Sequence, residues 1–155
     1  MIKTEKYVFA SSVIILMVFI FAILVASQGM KIDIPECVVT DNPYTEGKVV
    51  KLDDNTYQVY YVAKMWMFDP AIVELPLGAE VDLYLTSNDV VHGFHIKEKD
   101  VNMMAVYGNI NKRAVKFKKP GVYNIVCHEY CGVGHQSMRG QIVIKENLNA
   151  SNENQ

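Results

Sequence analysis

The sequence lacks any excess of positive charge. Its 17 acidic and 15 basic residues leave a formal charge of −2, which excludes an electrostatic nucleic-acid binder and any strong long-range steering of a charged partner. After one long apolar run near the N-terminus there is no second stretch of spanning length, so a single membrane crossing is the most it supports. Outside that run there is no capped, amphipathic helix of ordinary length and hence no βαβ pattern, which argues against a thioredoxin-like fold. No internal repeat is present. Cysteine is scarce: of Cys37, Cys127 and Cys131, only the last two are spaced as a pair.

What is there begins with the apolar run. Residues 8–26, "VFASSVIILMVFIFAILVA", carry no charge and only two serines. At about 1.5 Å per residue they make a helix close to the ~30 Å thickness of a bilayer's hydrocarbon core. A cleaved secretory signal is the competing reading, because Lys3 and Lys6 precede the run and "VAS" resembles a cleavage site. The run exceeds the roughly 7–15 residues of a signal core, so a retained anchor over 1–27 is expected. Lys3 and Lys6 put the N-terminus in the cytoplasm and the rest of the chain on the periplasmic or extracellular side, although Lys31 weakens the asymmetry.

Residues 28–47 mix proline, glycine and charge without periodicity and read as a linker. From 48 to 146 the pattern is one of short strands: "TYQVYYVAKMWMF", "AIVELP", "AEVDLYLTS", "VVHGFHI", "RAVKFK", "GVYNIVC" and "GQIVIKE", separated by Pro, Gly, Asn and Asp. Val81, Leu83 and Leu85 alternate so as to share one face. Such strands predict an all-β sandwich of two antiparallel sheets, or a barrel. The polar tail 147–155 reads as disordered.

The segment "CHEYCGVGHQSMRG" (127–140) gathers two cysteines, a histidine and a methionine within twelve positions. Gly132 and Gly134 permit the tight path that turns Cys131, His135 and Met138 toward one point. Thiolate, imidazole and thioether together suit copper far better than calcium, magnesium or manganese, while zinc gains little from methionine. A mononuclear site needs one thiolate, whereas two thiolates can each bridge two copper ions. A second histidine is then required, and "SNDVVHGFHI" (87–96) offers His92 and His95. Their spacing of three puts them on opposite faces of a strand, so one of them enters the site.

The pattern C-x-E-x-C-x-x-x-H-x-x-M with an upstream D-V-x-H resembles the binuclear CuA domain of haem-copper cytochrome c oxidase subunit II. The likeness runs over about residues 56–146, and the single anchor resembles the short B-type form. It implies a cupredoxin-like Greek-key sandwich behind one transmembrane helix. It also implies that Cys127 and Cys131 bridge both coppers, that His92 and His135 bind one each, and that Met138 and the backbone carbonyl of Glu129 are weak axial ligands. The function implied is acceptance of electrons from a c-type cytochrome and delivery to haem in subunit I, where oxygen is reduced to water with proton pumping. Further small subunits are compatible with the resemblance.

Other residues carry weaker expectations. Trp66 resembles the aromatic through which electrons come in, with core packing as the alternative. Basic residues around 97–119 argue against a uniformly acidic docking face, so apolar docking of the donor is expected. The Glu129 side chain resembles a magnesium ligand at the subunit interface. Glu5 resembles the acid at the mouth of a proton path, with an ordinary interfacial charge as the alternative. His95 is expected to pack near the site without binding the metal, His128 to be exposed, and Cys37 to be a free thiol. Two other classes compete. Nitrous oxide reductases share the site chemistry but carry a large additional domain, for which 155 residues are too few. Copper carriers with C-x-x-x-C often use the thioredoxin-like fold argued against above.

Overall fold

The computed structural model describes residues 3–29 and 36–146 and divides the chain into two compact units, a helix and a strand domain. The helix, α1 (Lys3–Gly29), contains a 25-residue candidate span, Thr4–Gln28, with an 18-residue window of mean hydropathy 3.0. Its serines would be costly in hydrocarbon with unpaired hydroxyls. They are satisfied locally: Ser11 and Ser12 donate to the Val8 carbonyl at 2.9 and 2.8 Å, and Ser27 to that of Leu24 at 2.9 Å.

The strand domain is a two-sheet sandwich. One sheet holds β1 (Glu36–Val39), β2 (Lys48–Lys51), β3 (Thr56–Lys64), β4 (Met67–Asp69), β6 (Glu80–Ser87) and β9 (Asn109–Lys116). Its order is β1-β9-β6-β3-β2, with β4 also on β3. The other holds β5 (Ile72–Pro76), β7 (His92–Ile96), β8 (Val101–Ala105), β10 (Gly121–Val126) and β11 (Arg139–Lys145), in the order β5-β11-β10-β7-β8. The antiparallel expectation needs correction at two places, because β3 pairs with β6 and β5 with β11 in parallel. In each parallel pair the chain has first visited the opposite sheet or an edge, which supplies the long crossover such pairing requires.

The core lies between the sheets. Val59, Tyr61 and Ala63 of β3 and Val81, Leu83 and Leu85 of β6 are buried together with Phe94, Ile96, Ile125, Ile142 and Ile144 from the other sheet. Alternation along β6 therefore places its apolar face inward, as its sequence predicts. Phe94 is the aromatic hub, with ring centroids 5.0 Å from Tyr61 and 5.3 Å from Phe68. Full burial of a Val, Leu, Ile or Phe side chain in this core contributes about 1.5–3 kcal/mol.

The expected linker is different in part. Within 28–47, α1 runs on to Gly29, and Glu36–Val39 forms an edge strand with Cys37 opposite Asn111 of β9. Residues beyond it stay on the sheet: the Thr40 amide donates to the Gly108 carbonyl at 2.9 Å, Tyr44 Oη to the Tyr61 carbonyl at 3.2 Å, and Asn88 Nδ2 to the Thr45 carbonyl at 3.1 Å. Proline and glycine concealed a strap whose backbone groups are satisfied by partners far along the chain. The anticipated disorder of the 147–155 tail falls outside the described residues.

Candidate metal centre

Three strands bring the chemistry to one end of the sandwich. β10 lies between β7 and β11, so the segment leaving β10 at Val126 and returning at Arg139 sits beside His92, the first residue of β7. Its base is closed by the Cys127 amide, which donates to the Met138 carbonyl at 3.2 Å. Inside, the His135 amide donates to Gly132, that of Ser137 to Gly134 and that of Met138 to His135, at 3.0, 3.0 and 3.1 Å. This tight 3-10 turn over His135–Ser137 swings His135 and Met138 back toward the cysteines.

The sulfurs are close without being bonded. Cys127 Sγ and Cys131 Sγ are 3.7 Å apart, far beyond the ~2.05 Å of a disulfide, and both thiols are free. Cys131 Sγ lies 3.7 Å from His135 Nδ1 and 3.8 Å from Met138 Sδ, and the Cys127 thiol donates to the Glu129 carbonyl at 3.2 Å. One ring nitrogen of His92 and both sulfurs fall within 4.8 Å of one another. Cys127, Cys131, Met138 and His92 are buried and His135 half-buried. Burial, followed by the hydrogen bond and charge of Cys127, holds the Cys131 thiol above its ordinary pKa.

His92 is fixed by a residue to which the sequence reading gave no role. Asp89 Oδ1 lies 2.6 Å from His92 Nε2, while His92 Nδ1 is fully buried and makes no hydrogen bond among the described residues. Asp89 in turn accepts the Met65 and Val90 amides, both at 2.7 Å, and the Ser87 hydroxyl at 3.3 Å. Desolvation is the largest influence on Asp89 and raises its pKa. The bonds from His92, Met65 and Val90 together outweigh it, and the carboxyl titrates below its usual value. A buried nitrogen without a partner is costly unless something else takes its lone pair. Together with two thiols, a second imidazole, a thioether and a carbonyl, it fits a soft or borderline metal. The only signal for Asp89 in the sequence was its position three residues before His92.

Trp66 joins the centre from the other sheet. Its indole N–H donates to the Cys131 carbonyl at 3.1 Å, and its ring covers the loop so closely that a Cβ at Gly134 would stand 2.4 Å from it. Gly132, at φ +116°, has the same ring at 3.2 Å from its ideal Cβ position. Trp66 is 39% exposed, so it is both packed on the loop and accessible to solvent. Its chain neighbours Met65 and Met67 are exposed and apolar, as is Val133 in the loop segment that the ring covers. The Glu129 side chain is exposed and lines a shallow cavity with Val90, Val91, Tyr130 and Cys131.

Four other residues singled out in the sequence are not among these donors. His95 is half-buried on the opposite face of β7 from His92, and His128 is exposed. Cys37 is an exposed thiol on β1. Glu5 lies in the first turn of α1, in the separate helical unit.

Over residues 49–147 the chain matches the family described as the periplasmic domain of cytochrome c oxidase subunit II. The cytochrome c oxidase subunit 2 of Thermus thermophilus is 40% identical over 114 residues, covering 72% of this chain and 84% of that protein. Among solved structures, a chain of a heme-copper terminal oxidase dimer determined by cryo-EM aligns with a TM-score of 0.73 at 42% identity, covering 92% of this chain and 100% of that one. The periplasmic domain of subunit II of cytochrome oxidase from Bradyrhizobium japonicum aligns with a TM-score of 0.55 at 21% identity, covering 63% of this chain and 88% of that one, a likeness of fold alone. The sandwich is therefore cupredoxin-like.

Proposed function

This chain belongs to the cytochrome c oxidase subunit II family, and from that premise we propose that it is the electron-accepting subunit of a haem-copper terminal oxidase, built to hold a binuclear CuA centre. Cys127, Cys131, His92, His135, Met138 and the backbone carbonyl of Glu129 would hold its two copper ions. A c-type cytochrome would give up electrons one at a time, and haem in subunit I would receive them for oxygen reduction with proton pumping. The observation that carries this reading is His92 Nδ1, buried without a partner in a group whose ligand atoms lie within 4.8 Å.

When bound, such a centre supplies one-electron exchange with the charge spread over two metals and two sulfurs, which keeps bond-length change on reduction small. The chain's own contribution is placement and exclusion of water. Asp89 fixes the His92 ring and leaves Nδ1 as its donor, in the manner by which outer carboxylates orient ligand imidazoles. The 3-10 turn presents His135 and Met138, and burial of both cysteines and of Met138 keeps bulk water from the donors. Trp66, hydrogen-bonded to the Cys131 carbonyl and open to solvent, is suited to be the point where electrons come in. The exposed apolar side chains beside it support apolar docking of the donor. The apolar α1 fits a membrane anchor, with the N-terminus assigned to the cytoplasm and the copper domain to the opposite side. The exposed Glu129 carboxylate is assigned to magnesium at the interface with subunit I, and Glu5 to the mouth of a proton path.

Copper reconstitution of the full chain tests the central claim. Two coppers per chain, with one unpaired electron shared equally between two nuclei in the paramagnetic resonance spectrum, are expected. One copper per chain with a single-nucleus spectrum refutes the binuclear reading. Glu5→Gln in the assembled oxidase should slow proton uptake without altering copper content, and normal turnover would refute its role.

A further inference from the structure

β7 sends its two histidines to opposite sides of its sheet. His92 faces the copper-type donors, while His95, with Val126 and Asn102 as its register partners on β10 and β8, belongs to the outer face. His128, the residue directly after Cys127, folds over that outer face and lies on Gly93. A Cβ at Gly93 would stand 2.6 Å from His128 Nδ1, so the ring can occupy this place only because the residue beneath it is glycine. Seated there, the His128 imidazole stands edge-on to that of His95, with ring centroids 6.0 Å apart and planes at 82°. Among the described residues neither ring makes a hydrogen bond.

We propose that His95 and His128 form a binding site for a divalent transition ion of borderline softness, of the zinc, nickel or copper(II) class, separate from the donors on the inner face. Neutral imidazole is a ligand these ions share, and magnesium or calcium does not favour it. An ion about 2.0–2.1 Å from one nitrogen of each ring places the centroids roughly 5–6 Å apart, and the observed 6.0 Å stands at the upper end of that range. His95 is held by pairing on both sides of β7, and the seat of His128 is set by Gly93, so little side-chain freedom is lost on binding. Asn102, directly across from His95 on β8, stands at the cross-strand distance of about 4.5–5.5 Å from which its amide oxygen can supply a third donor. Water completes the shell. His95 and His128 are 33 positions apart, and only the pairing of β7 with β10 makes them neighbours.

Calorimetric titration of the copper-loaded full chain in detergent with Zn²⁺ tests the site, with Mg²⁺ as the control ion. The expected result is one Zn²⁺ per chain and no heat from Mg²⁺. Affinity should fall at least tenfold in His95→Gln and in His128→Asn, and also in Gly93→Ala, which keeps both imidazoles but evicts one from its seat. The same titration in the Cys127→Ser, Cys131→Ser double variant removes the inner thiols, so a failure to load copper cannot be confused with absence of this site. Zinc affinity unchanged in His95→Gln and His128→Asn, or no zinc bound in either background, would overturn the proposal.

Discussion

The Asp89 carboxylate lies 2.6 Å from Nε2 of His92, and the other nitrogen of that buried ring has no partner among the described residues. One side chain thereby determines which nitrogen of its neighbour is left for a metal. Asp89→Ala should lower copper affinity about 10–100-fold, the range found when carboxylates behind ligand imidazoles are removed. Competition titration against a copper chelator measures it, and an unchanged affinity would show that packing alone orients the ring.

Acid should act on the same pair. The carboxyl of Asp89 titrates below its ordinary value of 3.8, so its folded-state pKa is depressed relative to the unfolded chain. A depressed carboxylate contributes stability that is present above the unfolded value and is lost as pH falls through the folded one. Metal-free wild type should therefore lose more melting temperature than Asp89→Asn when pH is lowered from 5 to below 3.8. Parallel curves for the two proteins would contradict this.

Copper uptake should rise with pH. The Cys131 thiol is held above its ordinary pKa by burial and by Cys127, so near neutrality it is protonated and binding must displace that proton. Apparent affinity should climb by at least about tenfold per pH unit between pH 6 and 8. The same elevation means that the metal-free fold loses stability as pH rises above the unfolded thiol's value. Chelator competition across pH and thermal melts of the apo chain read the two effects separately.

His92→Ala should abolish the delocalised copper spectrum, whereas His95→Ala should leave it intact, because the two rings sit on opposite faces of β7. Loss in both variants would mean that the strand's pairing, rather than the ligand, had been damaged.

Gly134→Ala places a methyl 2.4 Å from the Trp66 ring, too close for the ring to stay on the loop. Overpacking of this kind costs about 1–3 kcal/mol. Trp66 is the only tryptophan, so its emission reports the displacement directly. A red-shifted emission and slower reduction by a c-type cytochrome are expected together. Because the surrounding surface is apolar, the wild-type reduction rate should depend only weakly on added salt, and a steep fall would favour charged docking.

The alternation of Val81, Leu83 and Leu85, the apolar run at 8–26 and the cluster at 127–138 were legible because each is a local pattern with a local physical cause. The edge strand at 36–39 was not, since a four-residue exposed strand has no inward face to impose periodicity on its sequence. The single run read from 56 to 68 divides into β3 and β4 at Met65 and Trp66, which are exposed where the strand alternation would lead one to expect an edge or a core.

The sequence by itself determined the chemistry: two thiols, two imidazoles, a thioether and the glycines that let one loop bend around them. Tertiary structure decided which groups could act together. Strand pairing set His92 beside Cys127, placed Asp89 behind His92, laid Trp66 over Gly134, and brought His128 onto Gly93 next to His95. Donor type is a property of a residue and can be read along the chain, whereas distance between segments is fixed only when the sheets close around their common core.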